Sequence, residues 1–289
     1  MNIVNFNQLG FDKYIYLIAE IGINHNGSID LAKKLIDQAV DCGCDAVKFQ
    51  KRDINTVYSK EILDQARESP WGNTQREQKE GLEFSLTQYE ELDKYCKGKN
   101  IDWFASSWDK KSQLEMRRFK FKFNKIASAM ATNLDFVEFV ASEGTPTFAS
   151  TGMTEIEDIE KIVEIFKRHS CELMLMHTVS TYPSLESDLN LKCINMLKNK
   201  FKLPVGYSGH EVSVSPSVIA ATLGACAIER HITLDRSMYG SDQSASLQEE
   251  GFRQLVSICR KIPILLGDGE KKIIEAEKTI ANKLRYWKK

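Results

Sequence analysis

The sequence predicts an α/β protein that closes into a single (β/α)8 barrel, and three observations carry this prediction. Short, continuously apolar runs alternate with longer segments of helical period, a pattern typical of parallel strands joined by helices. The pattern supplies eight such runs, and a chain of 289 residues is ordinary for one barrel, which needs about 250. No linker rich in Gly, Pro or Ser interrupts it, so we expect one domain over residues 1–289.

The apolar runs place the strands in order along the chain. A polar stretch over residues 51–85 follows the second strand, and we expect it to form an excursion over one mouth of the barrel. Thr154 and Glu157 predict a capping box for a helix that runs to Arg168, and a last helix is expected over residues 247–266. The predicted strands are Tyr14–Ala19, Asp45–Phe49, Ile101–Ala105, Phe123–Ala127, Thr147–Ala149, Glu172–Met176, Pro204–Tyr207 and Ala227–Glu229.

Composition narrows the classes of function. With 42% hydrophobic and 27% charged residues, the chain has the composition of a soluble globular protein. A net charge of −1 provides no basic field for nucleic acid or for a membrane surface, so neither is expected as a partner. No charged start followed by an apolar run opens the sequence, so we expect no signal peptide, and its seven cysteines form an odd set. We therefore expect reduced thiols and a cytoplasmic location.

Polar side chains lie at or just beyond the carboxyl end of every predicted strand. In (β/α)8 barrels this mouth carries the active site, so the pattern predicts a site there. These side chains are Glu20; Lys48 and Gln50; Ser106 and Ser107; Lys125 and Ser128; Ser150 and Thr151; His177; Ser208 and His210; and Glu229 and His231.

Two lysines lie within the predicted apolar strands, Lys48 and Lys125. Burial of an unpaired ammonium group is costly, so each needs an anion. One interpretation is an internal salt bridge with Glu20 or Glu229. The other is a pocket for a small molecule with a phosphate and a carboxylate, such as phosphoenolpyruvate. Hydroxyl groups at the same mouth would add donors to that pocket, namely those of Ser106, Ser128, Ser150 and Ser208.

His210 and His231 end neighbouring predicted strands and can place two imidazoles on one ion. Two histidines with oxygen ligands suit Mn2+, Co2+ or Fe2+ as well as Zn2+. The alternative is a pair of hydrogen-bonded core histidines. Trp71 and Trp108 are candidates for stacking on a sugar or for shielding the mouth, and residues 240–244 form either a substrate loop or a polar turn.

Six segments resemble motifs of the N-acetylneuraminate (sialic acid) synthase family. They occur in the family's order over nearly the whole chain. The segments are Ile18–Gly27, Val47–Gln50, Ser150–Met153, Gly206–His210, Glu229–Thr233 and Gly240–Leu247.

The resemblance implies a cytoplasmic enzyme that condenses phosphoenolpyruvate with a sugar aldehyde, N-acetylmannosamine or a related hexose. The product would be a 2-keto-3-deoxy nonulosonic acid for surface polysaccharide, with release of phosphate. The resemblance also implies a divalent metal, Mn2+ before Co2+, Mg2+ or Zn2+, on His210 and His231. Glu20 and Asp242 would transfer protons or orient hydroxyl groups.

Carried over position by position, the resemblance assigns binding residues to each substrate. Those implied for phosphoenolpyruvate are Lys48, Ser106, Lys125, Ser128, Ser150 and Ser208. Those implied for the sugar are Gln50, Ser180, Tyr182 and Asp242, with Glu20 beside them.

Three features depart from the family pattern. Met130 stands where the family usually has an acidic residue that contacts the sugar, and Ser180 stands where bacterial members often have an amide. Loss of a polar contact changes which sugar is accepted. The sequence ends just after the barrel, so we expect no C-terminal antifreeze-like domain and no dimer swapped through it, although an exposed barrel face still allows a homodimer.

Two rival functions remain open on the sequence alone. A metal-dependent aldolase or hydrolase can use the same fold, because fold does not fix function. A non-catalytic sugar-binding barrel is the second rival. Phosphate release that needs both phosphoenolpyruvate and an aldehyde distinguishes the synthase from both.

Overall fold

Eight parallel strands close into a barrel in the computed structural model, which describes residues 6, 10, 11 and 14–288. Going round the barrel, the strand order is β1, β10, β9, β8, β7, β6, β5 and β2, and β2 pairs with β1 to complete the closure. The predicted fold class is therefore confirmed. The barrel strands are β1 (Tyr16–Gly22), β2 (Ala46–Lys51), β5 (Asp102–Ser107), β6 (Asn124–Ile126), β7 (Thr147–Ser150), β8 (Leu173–Thr178), β9 (Val205–Gly209) and β10 (Ala227–His231).

Helices follow the barrel strands and cover the outside of the sheet. Among the helices of the described residues, none is long and apolar enough to cross a membrane. The helices outside residues 51–85 are α1 (Ile29–Cys42), α5 (Leu86–Lys99), α6 (Lys110–Met116), α7 (Leu134–Ala141), α8 (Ile156–Arg168), α9 (Lys192–Phe201), α10 (Ser215–Thr222), α11 (Glu249–Leu266) and α12 (Glu275–Leu284).

The segment between β2 and α5 forms short elements of its own: α2 (Ile54–Val57), α3 (Lys60–Leu63), the antiparallel pair β3 (Ala66–Ser69) and β4 (Gly72–Thr74), and α4 (Gln75–Leu82). We call residues 54–82 the excursion. A β-carbon at Gly81 would overlap the ring of Trp71, and one at Gly27 would overlap the carbonyl oxygen of Gly81. Because Gly27 follows β1, these close approaches hold the excursion against a loop at the carboxyl end of the strands.

The start of α8 differs from the prediction. The helix ends at Arg168 as expected, but the predicted capping box of Thr154 and Glu157 is wrong. The helix begins one residue later, where the backbone N–H of Glu155 donates to the Asp158 carboxylate at 3.2 Å. The Thr154 hydroxyl instead donates to the carbonyl of Thr151 at 2.7 Å. Thr154 therefore closes the turn before the helix.

Aromatic side chains fill the interior of the barrel below its polar mouth. Phe104, Phe123 and Phe148 are all buried, and the Phe123 and Phe148 rings lie 4.9 Å apart between centroids. Side chains two residues apart in a strand point to the same face. The inward-facing residues that follow these three phenylalanines are Ser106, Lys125 and Ser150. A single step of the pleat thus separates the apolar core from the polar layer.

Candidate active site

A central cavity of about 610 Å3 opens at the carboxyl ends of the strands. It contains every residue to which the resemblance assigned a role except Asp242, whereas the strand-end residues Ser107, Thr151 and His177 do not line it. The strands explain this convergence. All predicted strands except the fourth were too short at their carboxyl ends, and most of these residues lie within the barrel sheet. The cavity is lined by Glu20, Lys48, Gln50, Ser106, Trp108, Lys125, Ala127, Ser128, Ala129, Ser150, Met153, Thr178, Ser180, Tyr182, Ser208, His210, Glu229 and His231.

Four charged side chains at the base of the central cavity form what we call the ion network: Glu20, Lys48, Lys125 and Glu229. The Lys48 ammonium lies 2.9 Å from Glu20 Oε2 and 3.6 Å from Glu229 Oε1. The Lys125 ammonium lies 2.9 Å from Glu229 Oε2. The structure therefore contains the internal salt bridges that the sequence allowed, and these salt bridges lie inside the cavity.

Hydroxyl groups surround the ion network. Lys48 donates to the Ser106 hydroxyl oxygen at 3.1 Å, and the Ser208 hydroxyl donates to Glu229 at 3.1 Å. Ser128 accepts from the backbone N–H of Gly152 at 3.2 Å. Most of these groups can rotate towards a bound anion, because a hydroxyl hydrogen is free to turn about its C–O bond.

The protonation states of the ion network follow from burial and charge together. Burial lowers the pKa of Lys48, but the charges of Glu20 and Glu229 outweigh burial and raise it. Burial lowers the pKa of Lys125 more than Glu229 raises it. Burial raises the pKa of Glu229, yet Lys125 and Lys48 outweigh it and hold that pKa at about 2. The network thus combines two cations with two carboxylates, of which Glu229 is fixed in its ionised form.

His210 and His231 lie side by side at the rim of the cavity, with ring centroids 5.5 Å apart. His210 Nδ1 lies 2.7 Å from the Val179 carbonyl oxygen, so Nδ1 donates and Nε2 keeps its lone pair. His231 Nδ1 is buried, has no hydrogen-bond partner in the described chain, and lies 3.7 Å from Asp242 Oδ2. Burial, reinforced by the neighbouring His231, lowers the pKa of His210 to about 3, so its ring is neutral near pH 7.

These two rings can serve as metal ligands, but the described residues contain no cluster of three or more His, Cys, Asp or Glu side chains suited to a metal ion. Two imidazoles can hold a divalent cation only if water or substrate oxygens complete its coordination.

The predicted sugar-binding residues lie on one side of the histidines. The ring of Tyr182 lies 4.1 Å from that of His210 and 5.7 Å from that of His231. Gln50 donates to Glu20 Oε1 at 2.9 Å. Asp242 lines a second cavity next to the central one, which Gln50 and Tyr182 also line. The structure therefore places Asp242 beside the central cavity, as predicted, but in the lining of the neighbouring one.

Two further residues differ from the sequence-based interpretation. His177 lines a separate cavity at the outer surface, and its Nε2 lies 2.7 Å from the Leu189 carbonyl oxygen, while Thr178 lines the central cavity. Met130 packs against the hydrophobic core, and its neighbour Ala129 lines the cavity instead.

Glu229 was predicted both at the mouth and as a salt-bridge partner, and in the structure it contacts both lysines and Ser208. Its position two residues after the inward-facing Ala227 explains why it points into the cavity.

The closed parallel barrel with this polar mouth has the architecture of the (β/α)8-barrel enzymes. Comparison with known proteins then gives the family. The NeuB family profile matches residues 35–271, and the chain belongs to the NeuB family.

Relatives of known name agree with this assignment. The N-acetylneuraminate-9-phosphate synthase of Drosophila melanogaster is 40% identical over 84% of this chain, which spans 66% of that relative. The N,N'-diacetyllegionaminic acid synthase of Legionella pneumophila is 35% identical over 89% of this chain and 74% of the relative. A crystal structure of the N-acetylneuraminic acid (sialic acid) synthetase of Leptospira borgpetersenii has a TM-score of 0.84 and 30% identity, covering 95% of this chain and 94% of that one.

Proposed function

We propose that this protein condenses phosphoenolpyruvate with a sugar aldehyde to give a 2-keto-3-deoxy sugar acid and inorganic phosphate. The observation that carries the proposal is the placement of Lys48 and Lys125 in the same cavity as His210 and His231. That cavity combines groups for a small anion with groups for a divalent cation. The synthase names of the relatives support the same reaction.

The residues present fit a bound cation. His231 Nδ1 is a buried polar atom without a partner in the described chain, and His210 has an oriented ring with a free Nε2. The ion network is balanced in charge, so a phosphoenolpyruvate trianion needs additional positive charge nearby. When bound to His210 and His231, a divalent cation, Mn2+ by our proposal, supplies that charge and Lewis-acid polarisation of the acceptor carbonyl.

The chain's own groups bind and orient phosphoenolpyruvate. The ammonium groups of Lys48 and Lys125 bind its phosphate and carboxylate, and their burial at the base of the central cavity excludes bulk water from these contacts. Anion binding draws each ammonium partly away from its carboxylate partner. Hydroxyl groups complete the binding site, and those assigned to it are Ser106, Ser128, Ser150 and Ser208.

The reaction balances with one water molecule. C3 of phosphoenolpyruvate forms a bond to the aldehyde carbon, whose oxygen takes a proton and becomes a hydroxyl group. Water adds to C2, and the resulting tetrahedral intermediate loses phosphate with cleavage of the C2–O bond. Glu20 or Asp242 is the candidate to move a proton between water and the acceptor oxygen, because both carboxylates lie beside the sugar-binding residues.

Phosphate release tests the proposal directly. The chain is incubated with phosphoenolpyruvate and a panel of aldoses that includes N-acetylmannosamine, mannose and their 6-phosphates, with Mn2+ or with a chelator. We expect metal-dependent release of inorganic phosphate only when an acceptor aldehyde is present. Release without phosphoenolpyruvate would indicate a hydrolase, and sugar binding without release would indicate a non-catalytic barrel.

A further inference from the structure

His210 and His231 each have a charged neighbour in the chain that does not line the central cavity. Glu211 follows His210 just beyond β9, and Arg230 precedes His231 within β10. The two strands are adjacent in the barrel, and Arg230 lies opposite Gly209 in their register. Because neighbouring side chains of a strand point to opposite faces, Arg230 points outwards where His231 points into the cavity. The two charged residues therefore meet behind the two histidines.

Arg230 joins β10 to the segment that follows His210. Its Nη1 lies 2.8 Å from Glu211 Oε1, and both side chains are fully buried. Nη1 also donates to the carbonyl oxygen of Ser213 and to the hydroxyl oxygen of Ser217, each at 2.9 Å. Nη2 donates to the backbone carbonyl oxygen of Glu211. Because one planar guanidinium group makes these contacts in a fixed geometry, the backbone after His210 cannot shift relative to β10 without breaking several of them.

The carboxylate of Glu211 is bound back onto the strand that it follows. It accepts from the Tyr207 hydroxyl at 2.8 Å and from the Ser217 hydroxyl at 3.1 Å. Tyr207 belongs to β9, which ends next to His210. A β-carbon at Gly209 would lie 2.5 Å from Glu211 Oε2, closer than two such atoms can approach. The glycine therefore leaves the space that the carboxylate occupies, and Glu211 is held from β9, α10 and β10 together.

The imidazole rings depend on this backbone for their separation. Their centroids lie 5.5 Å apart. The carbonyl oxygen of Val179 orients the His210 ring, whereas His231 Nδ1 has no hydrogen-bond partner in the described chain. Metal–nitrogen distances tolerate deviations of only about 0.2 Å. A small shift of the backbone after β9 relative to β10 would therefore change how well the two rings bind one cation.

Stability of the fold alone explains this buried ion pair poorly. Desolvation of both charges offsets much of their attraction, and two apolar side chains of similar volume often give equal or greater stability. Charge-assisted hydrogen bonds, in contrast, fix distances and directions that apolar contacts leave free. The position of the pair between the two candidate metal ligands therefore indicates that it serves the geometry of the site.

We propose that Arg230 and Glu211 are positioning residues, which fix the separation of His210 and His231 and thereby set the affinity of this protein for its divalent cation. The inference rests on the proposed function for the role of that cation. Neither side chain lines the central cavity, so neither acts on the substrates directly. Replacement of Arg230 should therefore weaken cation binding and leave the chemistry largely intact once the cation is bound.

The affinity for Mn2+ without substrates tests the inference. Electron paramagnetic resonance of free aqueous Mn2+ gives the Kd, and His231→Ala identifies the binding that belongs to this site. We expect Arg230→Met to raise the Kd by about 10- to 100-fold, the usual effect of losing a group that orients metal ligands. Arg230→Lys keeps the charge but not the planar fork, so it should raise the Kd by about 10-fold and serves if Arg230→Met does not fold. Arg253→Met, which removes an exposed arginine, is the matched control and should keep the wild-type Kd.

The double variant Arg230→Met/Glu211→Met separates geometry from stability. Removal of both charges should restore much of the free energy of unfolding that Arg230→Met loses, because no unpaired charge stays buried. The Kd for Mn2+ should nevertheless stay raised. Recovery of the Kd together with stability would indicate a purely structural role and overturn the inference. A wild-type Kd in the folded Arg230 variants would overturn it as well.

Phosphate release separates this inference from the proposed function. Arg230→Met should need about 10- to 100-fold more Mn2+ for half-maximal release and should approach the wild-type kcat at saturating Mn2+. A lower kcat with unchanged half-saturation would overturn the positioning role. Absence of release in the wild type counts against the condensation alone, because the Mn2+ titration decides the positioning role without substrates. Mn2+ binding that His231→Ala leaves unchanged would overturn the positioning role and leave the condensation to its own test.

Discussion

Lys125 and Glu229 form an ion pair across the interior of the barrel, with 2.9 Å between Nζ and Oε2. They belong to β6 and β10, which three other strands separate on one side. Both side chains are buried, so neither charge is stabilised by bulk water. The pair therefore links the two halves of the strand circle through their side chains, in addition to the sheet hydrogen bonds.

Replacing one member of this pair should cost more than replacing both. Lys125→Met leaves Glu229 with Lys48 as its remaining cation, and we expect the free energy of unfolding to fall by about 3 kcal/mol. Adding Glu229→Gln removes the unpaired charge and should recover part of that loss. Urea denaturation of the two single variants and the double variant measures the coupling. Strictly additive losses would mean that the pair contributes no coupling.

His231→Ala should abolish turnover while the barrel stays folded. Loss of a metal ligand removes several kcal/mol of transition-state stabilisation, so we expect phosphate release to fall by at least about 1,000-fold. Circular dichroism and Tm report the fold. His169→Ala, at the surface end of α8, is the control and should keep its activity. Near-native turnover in His231→Ala would rule out the metal assignment.

Acid should weaken the fold through His25. This ring is fully buried and stacks on Phe84 at 4.0 Å between centroids; burial, reinforced by Arg52, lowers its pKa to about 3. In the unfolded chain the same group titrates near 6.5, so between these values the unfolded state binds more protons and stability rises with pH. Between pH 7.5 and 5, His25 alone should cost about 2 kcal/mol.

The His25→Gln variant isolates this contribution. Other buried histidines titrate equally in both proteins and cancel in the comparison, so the variant should lose about 2 kcal/mol less than the wild type over the same pH interval. Chemical denaturation at the two pH values measures the difference. Equal losses would show that His25 is not the buried titrating group.

A second buried ion pair, outside the cavity, stabilises the backbone next to the two histidines. Arg230 lies 2.8 Å from Glu211 Oε1, with both side chains fully buried, and these residues adjoin His231 and His210 in sequence. Arg230→Met leaves Glu211 unpaired in the protein interior and should cost about 3 to 5 kcal/mol of unfolding free energy.

The exposed pair of Arg253 and Glu249 provides the matched control. Arg253→Met should cost less than about 1 kcal/mol, because water screens a surface ion pair. Thermal and urea unfolding of both variants give the comparison. Similar costs at the two positions would contradict the role assigned to burial.

The fold was predictable because both faces of a parallel barrel strand are buried and leave continuous apolar runs, as in Ile15–Ala19. The carboxyl ends of the strands were less predictable from the sequence. Glu20 and His231 are polar yet continue their strands inside the barrel, and Glu20 forms an ion pair there with Lys48 of the neighbouring strand. The hydropathy of a segment does not reveal which side chains pair with one another.

Prediction of the site residues from the sequence has the same limit. Strand-end position located the lysines and histidines, and the resemblance to known motifs assigned their roles. Arg67 and Lys79 line the second cavity beside the central one, and they gave no such signal because they lie in a polar segment where charged residues are ordinary. They reach that cavity only through the folding of the excursion, which no local pattern revealed.

The excursion packs onto the barrel through the close approaches at Gly27, Gly81 and Trp71. Two different parts of the chain therefore form the two neighbouring cavities. The ion network and His231 lie in the barrel strands, and His210 directly follows β9, so the barrel itself fixes their positions. The second cavity, next to the central one, takes five of its twelve lining residues from the excursion. Changes of sugar preference can therefore arise within residues 54–82 while the carbon–carbon bond chemistry stays fixed, so this segment is the natural target for redesigning the acceptor.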